Sequence, residues 1–271
     1  MDVFFYEAFA EEKQALAAGM PSSVSADYAG ATIQECAHTA PPASLISIRT
    51  QSVIPHKWLP GLKGILTRST GYDHVLAARE TAAERGGYLE IGHLPLYCNR
   101  AVAEQAMLLW TALLRHLPAQ QRQFKTFERD NLTGRECRDR TLLVIGVGKI
   151  GIEICRIGTG LGMNVLGVDP VHRFPSVTYT TPEDGLQQAD VIVCAMNLNS
   201  TNYGYFNYQR LKRARAGAVF VNIARGEQVI PADLVRLLEE DHLSGLAMDV
   251  FENEPDLAVR LRRTGTYRTK E

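Results

Sequence analysis

The sequence has no long hydrophobic run and almost no net charge. No segment approaches the ~20 consecutive apolar residues that a membrane-spanning helix needs, so we expect no membrane partner. The formal net charge is -1, which gives no overall field toward nucleic acid or an anionic lipid surface. The first residues also lack the basic cluster of a secretory signal peptide. These absences favour a soluble protein of the cytoplasm.

Cysteine is sparse, and the sequence has no CxxC pair. The five cysteines are an odd number and lie far apart, at Cys36, Cys98, Cys137, Cys155 and Cys194. Free thiols in a reducing compartment are the simplest interpretation. No group of soft ligands has the spacing of a zinc site, so we predict no metal. The chain also has no internal repeat and no low-complexity tract.

Short apolar runs alternate with helical patterns along the whole chain, which is typical of parallel strands joined by crossover helices. In the first hundred residues the runs at 3–6, 44–48 and 64–67 predict strands of a small α/β unit. A strongly apolar helix follows at 99–117, with Asn99 as its N-cap and Pro118 as its stop. Such a helix is buried, or lies at a domain or subunit junction.

The second half predicts a larger, doubly wound parallel sheet. Consecutive apolar residues at 141–145 indicate a fully buried strand. Further strand-like runs lie at 164–168, 191–195, 218–223 and 245–250, with a helix at 231–240 among the segments between them. We therefore predict an α/β chain with two domains, at residues 1–98 and 99–259, and a turn-rich basic tail at 260–271.

A glycine-rich turn follows the strand at 141–145. Gly146 permits the tight turn, Gly148 lets a pyrophosphate approach the backbone, and Gly151 lets helix and strand pack closely. The helix N-terminus, with Lys149 and Ile150, would bind the phosphates.

The next strand ends at Asp169, a carboxylate that can accept hydrogen bonds from the adenine ribose and would repel a 2′-phosphate. The pattern thus predicts NAD rather than NADP. The alternatives are a glycine turn that binds nothing and a solvated acid at a strand end.

Two downstream segments carry reactive residues. Arg225 follows a predicted buried strand, at the sheet edge where such folds bind ligands, and an arginine there can clamp a carboxylate with two parallel hydrogen bonds. Asp249 ends another predicted strand, and Glu254 lies in the loop after it. Taken singly, each could equally be a surface arginine or a solvated acid.

In combination, these motifs resemble those of the D-isomer-specific 2-hydroxyacid dehydrogenases. The likeness runs from about Leu62 to Pro255, and the strings GVGKIG, VNIARGE and LAMDVFENEP carry it. RSTGYDHV at 68–75 resembles the family's substrate loop, and LPLYCNRAVAEQA at 94–106 resembles the link between its two domains. The resemblance implies a flavodoxin-like substrate domain, a Rossmann NAD domain, and interconversion of a 2-keto acid and a D-2-hydroxy acid.

The resemblance also implies roles for individual residues. Arg225 would bind the substrate carboxylate and polarise its carbonyl, and the N–H groups of Thr70 and Gly71 would hold the same carboxylate. Tyr97 would contact substrate, as in the D-lactate branch. Glu254 would pair with the catalytic histidine and raise the pKa of that imidazole.

Three further residues would serve the cofactor. Asp249 and the backbone at Ile223 would orient the nicotinamide carboxamide. Asn197 would lie on the nicotinamide side, where many members have proline. Gln105 stands in place of a common histidine.

The sequence departs from the family where the proton donor is expected. That histidine lies some thirty residues beyond the glutamate in the family, whereas here the last histidine is His242 and the sequence ends at Glu271. The sequence is then a fragment or frameshifted product, a weakened homologue, or an enzyme in which His74 or His93 substitutes. We expect impaired activity. The alternative function is a non-catalytic NAD(H)-binding sensor or scaffold.

The helix at 99–117 resembles the element that forms the family's dimer interface. Its apolar character fits a contact between identical surfaces, so we expect a homodimer. The alternative is burial between the domains of a monomer.

Overall fold

A computed structural model describes residues 1–265 of the chain. It divides into two compact units, one of residues 1–97 joined by the segment that begins at 253, the other of residues 98–252. The predicted domain limits at 98/99 and 259/260 stay predictions. No described helix is long and apolar enough to cross a membrane.

The first unit contains a five-stranded parallel sheet in the order β2-β1-β3-β4-β5. Its strands and helices follow one another along the chain as β1 (Val3–Phe5), α1 (Ala10–Gly19), β2 (Ala26–Tyr28), β3 (Leu45–Ile48), a 3₁₀ turn (His56–Gly61), β4 (Gly64–Thr67), α2 (Asp73–Glu84) and β5 (Glu90–Gly92). This strand order is that of flavodoxin-like sheets, as expected. The sequence patterns missed β2 and β5, which have only three residues each and are half-exposed.

The second unit contains a six-stranded parallel sheet in the order β11-β10-β9-β6-β7-β8. Its strands and helices are α3 (Asn99–Leu114), α4 (Leu117–Gln123), β6 (Thr141–Ile145), α5 (Lys149–Gly160), β7 (Asn164–Val168), β8 (Thr178–Tyr179), α6 (Pro182–Gln188), β9 (Val191–Cys194), α7 (Tyr208–Leu211), β10 (Ala218–Asn222), a 3₁₀ turn (Gly226–Gln228), α8 (Pro231–Glu239) and β11 (Leu243–Met248). The two Rossmann-like sheets confirm the predicted fold class.

The prediction for the ends of the long helix was wrong. The helix includes Asn99 as its first residue, and no side chain caps its N-terminus. It ends at Leu114, because His116 adopts a left-handed conformation (φ 53°) that breaks the helical path. Pro118 lies in the first turn of α4, where proline is favoured, and is not a stop.

The chain after residue 252 forms one more helix, α9 (Glu254–Thr264), and belongs to the first unit. The predicted turn-rich tail at 260–271 is therefore wrong for its first five residues, which continue this helix. Gly265 ends it with a left-handed φ of 64°, a common helix terminator. The rest of the predicted tail, 266–271, lies outside the described residues.

Apolar side chains cover both faces of the second sheet. Helix α3 supplies four fully buried residues, Ala103, Ala106, Trp110 and Leu114, at the three- and four-residue spacing of one helix face. They pack with β6, β9 and β10, whose residues are almost all buried. This burial fixes the carboxyl ends of three neighbouring strands, where the candidate site lies.

Candidate cofactor and substrate site

A groove of about 600 Å³ opens at the carboxyl edge of the second sheet. The strand order reverses between β6 and β9, and open parallel sheets bind ligands at such a reversal. The groove is lined by Ile145, Gly146, Gly148, Val168, Asp169, Pro170, Val171, Arg173, Thr180, Pro182, Ala195, Met196, Asn197, Asn199, Thr201, Asn202 and Tyr205. Four predicted cofactor residues thus share one groove: Gly146, Gly148, Asp169 and Asn197.

The glycine turn has the geometry that a phosphate site needs. Gly146 has φ +98°, and a Cβ there would lie 2.6 Å from the carbonyl carbon of Ala195. A Cβ on Gly151 would lie 2.1 Å from the Gly146 carbonyl oxygen. Gly148 differs, since a Cβ there would meet no atom within 4 Å. Gly146 and Gly151 therefore allow the close contacts of the turn. Gly148 leaves open space beside the N-terminus of α5, which begins with Lys149 and Ile150.

Asp169 directly follows β7, and both of its carboxylate oxygens are hydrogen-bonded to backbone. Oδ2 accepts from the Val147 N–H at 3.0 Å and Oδ1 from the Val171 N–H at 2.9 Å. These bonds fix the carboxylate at the rim of the groove, half-buried, with lone pairs left over for ribose hydroxyls. The residue is therefore oriented rather than merely solvated.

The loop after β9 forms the opposite half of the groove. Asn202 is 6% exposed, and its side chain donates to the Asn197 carbonyl at 2.7 Å and accepts from the Asn199 N–H at 2.8 Å. This buried amide gives the loop a fixed shape. Cys194, at the end of β9, is fully buried, and burial raises the pKa of its thiol to about 12.

Arg225 lies in the turn after β10, and a buried asparagine shapes that turn. Asn222 is fully buried; its side chain donates to the Arg225 carbonyl at 2.9 Å and accepts from the Ala224 N–H at 3.0 Å. The Arg225 guanidinium itself donates to the Ala224 carbonyl at 2.8 Å. Gly226 must be glycine, because a Cβ there would lie 1.9 Å from the carbonyl carbon of Phe251.

Asp249 and Ile223 occupy the same sheet edge. The Asp249 N–H donates to the Asn222 carbonyl at 2.9 Å, and the Ile223 N–H donates to the Cys194 carbonyl at 3.3 Å. Gln105, from helix α3, donates its side-chain N–H to Asp249 Oδ1 at 3.0 Å. The carboxyl ends of β9, β10 and β11 are thus linked to one another.

The other four predicted site residues belong to the first unit. Thr70 and Gly71 follow β4, and the Thr70 hydroxyl donates to the Leu94 carbonyl at 3.2 Å. Tyr97 is 55% exposed. The prediction that Glu254 lies in a loop was wrong, because Glu254 is the first residue of α9. Of the two histidines considered as substitutes, His74 Nε2 lies 2.9 Å from the Thr67 hydroxyl and His93 packs against the Tyr72 ring.

Residues 106–264 match the family described as D-isomer specific 2-hydroxyacid dehydrogenase, NAD binding domain. The chain belongs to this family. Its cofactor is NAD, and the open space at Gly148 and the oriented Asp169 fit a pyrophosphate and a ribose. Within residues 1–265, no cluster of histidine, cysteine or acidic side chains could hold a metal ion.

Two curated proteins with names typical of this family are similar to the chain in sequence. A glyoxylate reductase of Thermofilum pendens is 30% identical over 208 residues, covering 72% of this chain and 60% of the relative. A D-lactate dehydrogenase of Escherichia coli K12 is 32% identical over 206 residues, covering 73% and 60%. The chain thus spans about three fifths of the length of these curated relatives.

Solved structures show the same fold. The D-lactate dehydrogenase of Aquifex aeolicus, complexed with NAD and lactic acid, aligns with a TM-score of 0.85 at 26% identity. The alignment covers 99% of this chain and 83% of that one. D-2-hydroxyisocaproate dehydrogenase aligns with a TM-score of 0.81 at 21% identity, which reflects the fold alone.

Sequence reasoning gave no role to three buried amides, Asn202 in the wall of the groove and Asn222 and Gln228 behind it. A polar residue at the end of the apolar run AVFVN was the one available signal for Asn222. Gln228 gave none, because its partners lie about thirty residues away in the chain.

Proposed function

We propose that this protein interconverts a 2-keto acid and a D-2-hydroxy acid with NAD. The main support is that the cofactor groove and the turn bearing Arg225 occupy the same edge of one sheet. The names of two relatives, glyoxylate reductase and D-lactate dehydrogenase, denote activities of this class. Tyr97, which resembles a substrate-contacting tyrosine of the D-lactate branch, favours pyruvate or a longer 2-keto acid over glyoxylate.

Arg225 is the proposed carboxylate clamp. A guanidinium can hold both carboxylate oxygens of the substrate at once, and its charge also polarises the adjacent keto group. Asn222 keeps the arginine's peptide in place. Thr70 and Gly71, which follow β4 in the first unit, are further proposed substrate-binding residues.

Asp249 and the backbone of Ile223 would orient the carboxamide of the cofactor. Gln105 holds the Asp249 carboxylate in one rotamer, which leaves the second oxygen for the ligand. When bound, NADH supplies a hydride to the keto carbon. Residues Gly146 to Gly151 with Asp169 hold the phosphates and ribose.

The reduction of the keto group also needs a proton donor. Glu254 would pair with a histidine, but none follows it in these 271 residues. We therefore propose that this chain by itself turns over slowly, since removing a positioned general acid costs about 10²–10⁴ in rate. The alternative function is an NAD(H)-binding sensor or scaffold without catalysis.

The deciding experiment is an NADH titration of the 271-residue chain, followed by loss of NADH absorbance with glyoxylate, pyruvate and longer 2-keto acids. We expect saturable binding and slow or undetectable turnover. Gly148→Val should weaken NADH binding at least tenfold, because its side chain fills the open space at the turn. Gly160→Ala, where a Cβ meets nothing, is the matched control. Absence of NADH binding by a folded chain would overturn the proposal.

A second comparison separates the dehydrogenase from the sensor. Appending a family-like C-terminal segment with its histidine should restore turnover if the protein is a dehydrogenase. Arg225→Lys in that extended chain should then lower kcat/KM at least tenfold, since lysine cannot form the two-pronged contact. Fast turnover by the unextended chain would instead assign the proton to another group, with His74→Gln and His93→Gln as the variants to test first.

We also propose a homodimer that works in the cytoplasm. Leu108, on the outer face of α3, is 54% exposed, and Phe124 and Phe127 beyond α4 are more than 70% exposed. Exposed apolar groups of this size favour association. The five free thiols fit a reducing compartment. Light scattering of the pure chain tests the dimer.

A further inference from the structure

Gln228 lies behind the groove and joins the loop after β9 to the turn after Arg225. Gln228 is 0% exposed and is not among the groove-lining residues. Its Nε2 lies 3.3 Å from the carbonyl oxygens of both Met196 and Asn197, and its Oε1 accepts the Cys194 thiol at 3.3 Å. Both ends of the amide are therefore engaged, as a buried polar side chain requires.

Backbone bonds reinforce this connection. The Gly204 N–H donates to the Glu227 carbonyl at 2.8 Å, and the Phe206 N–H donates to the Gln228 carbonyl at 2.9 Å. The loop after β9 and the turn after Arg225 are consequently one hydrogen-bonded body. Gln228 is the side chain at its centre.

The Asn197 carbonyl has two buried donors. It accepts from Asn202 Nδ2 at 2.7 Å and from Gln228 Nε2 at 3.3 Å, which uses both of its lone pairs. The peptide is thereby held with its carbonyl toward the protein, while Met196 and Asn197 line the groove. Losing the Gln228 donor would leave the Asn197 carbonyl with Asn202 alone and would remove the Gln228 contact from the Met196 carbonyl, so the loop would hold this peptide less firmly.

We propose that Gln228 is a positioning residue that preforms the nicotinamide half of the groove. The inference rests on the cofactor-binding part of the proposed function. In a doubly wound sheet the adenosine lies on the side of β7 and Asp169, and the rest of the dinucleotide crosses the reversal toward β9. Gln228 acts on the β9 side alone, so its loss should weaken NADH binding and spare a ligand confined to the adenosine and diphosphate.

The test compares two ligands on one variant. Gln228→Leu keeps the side-chain volume but removes both donors and the acceptor. We expect the Kd for NADH to rise at least tenfold while the Kd for ADP stays within twofold of the parent. Cys194→Ala is the matched control, because it removes only the thiol donor to the glutamine; it should leave the ratio of the two Kd values within twofold.

A glutamate variant covers the case in which the leucine variant does not fold. Burial raises the pKa of a carboxyl group at this position in Gln228→Glu. The protonated form keeps one donor, whereas the ionised form has none and repels the two carbonyls. NADH binding by this variant should therefore strengthen from pH 8 to pH 6 relative to ADP binding, while the parent ratio stays flat.

The outcomes separate the two claims. If the parent chain binds neither ligand, the proposed function fails and the inference fails with it. If the parent binds both but the variants weaken NADH and ADP equally, or change neither, the inference alone is overturned. Selective loss of NADH binding in Gln228→Leu, or the pH-dependent ratio in Gln228→Glu, supports it.

Discussion

The two sheets of this chain hold their carboxyl edges by different means. In the first unit, two charged side chains are buried there: Arg68 is 7% exposed and Glu7 is 4% exposed. Arg68 bonds to the Glu12 carboxylate at 2.8 Å and to two backbone carbonyls, and Glu7 accepts three backbone N–H groups from the loop after β3. In the second unit, close-packed glycines and neutral amides hold the loops at the carboxyl edge of the sheet.

The difference sets what each edge tolerates. A buried charge network fails when one partner is removed, because the remaining charge is left without compensation. A glycine packed against backbone fails when any volume is added. The first unit should therefore respond to changes of charge and pH, and the second to changes of size.

The largest effect is expected for Gly226→Ala in the second unit. The new Cβ would lie 1.9 Å from Phe251 carbon and 2.1 Å from Glu252 nitrogen, both of which are main-chain atoms. We expect the free energy of unfolding, measured in urea, to fall by about 3 kcal/mol or more. Gly160→Ala should instead leave stability unchanged or raise it by up to about 1 kcal/mol. Equal stability of the two variants would contradict the claim that the second unit is sensitive to added side-chain volume.

Arg68→Met in the first unit comes next. It leaves Glu12 with only the longer Arg49 contact and takes the Arg68 donor from two buried carbonyls, and a buried acceptor without its donor costs about 1–3 kcal/mol. Arg49→Met is the matched control, since Arg49 is more exposed and reaches Glu12 at only 3.5 Å, a contact worth about 1 kcal/mol or less. Urea unfolding of both variants measures the difference. Similar losses in the two would argue against a special role for the buried network.

A smaller, pH-dependent effect is expected for Arg262→Ala. Arg262 of α9 donates to both Glu35 oxygens, at 2.8 and 3.0 Å, and this contact lowers the pKa of Glu35 from 4.5 to about 2. The lowered pKa means that the contribution, about 1 kcal/mol or less, is present above pH 4.5 and is lost as the pH falls toward 2. Unfolding at pH 6 and pH 3 should show the parent's advantage over the variant shrinking, with Arg263→Ala as control.

The smallest effect is expected at a surface cluster of the second unit. Lys212, Tyr208 and Arg236 all contact Glu240 and lower its pKa to about 2. The cluster is exposed, so solvent and salt screen it. Glu240→Gln should leave the urea midpoint at neutral pH within error of the parent. A clear fall in the urea midpoint would mean that the stability of the second unit also depends on charge.

The burial of each strand explains how much of the fold was predictable. Strands β6 and β7 were predicted with their observed bounds, and β9 and β10 to within one residue, because a strand covered on both faces leaves an unbroken apolar run. Strands β2 and β5 have one or two polar residues in three and leave no such run. Their pairing depends on neighbours far away in the chain.

The candidate site shows the same limit. Gly146, Gly148 and Asp169 were predicted to act together, and they line one groove, because a short segment encodes both the turn and the next strand end. The sequence shows a glycine at 226 but not why glycine is required there. The main chain that packs against it, at Phe251, comes some twenty-five residues later. Gln228 likewise acquires its role from carbonyls that only the folded sheet brings near.

The first unit is interrupted in the chain, and this has a consequence for its folding during synthesis. Residues 1–97 emerge from the ribosome early, but α9, with the Arg262 contact to Glu35, follows only after the whole of 98–252. At about 5–20 residues per second, that wait lasts roughly 10–30 s. For that time the nascent first unit lacks α9, while the uninterrupted second unit can complete its sheet. A translational pause before α9 would lengthen the exposure of the first unit to chaperones and proteases without altering a single contact in the finished protein.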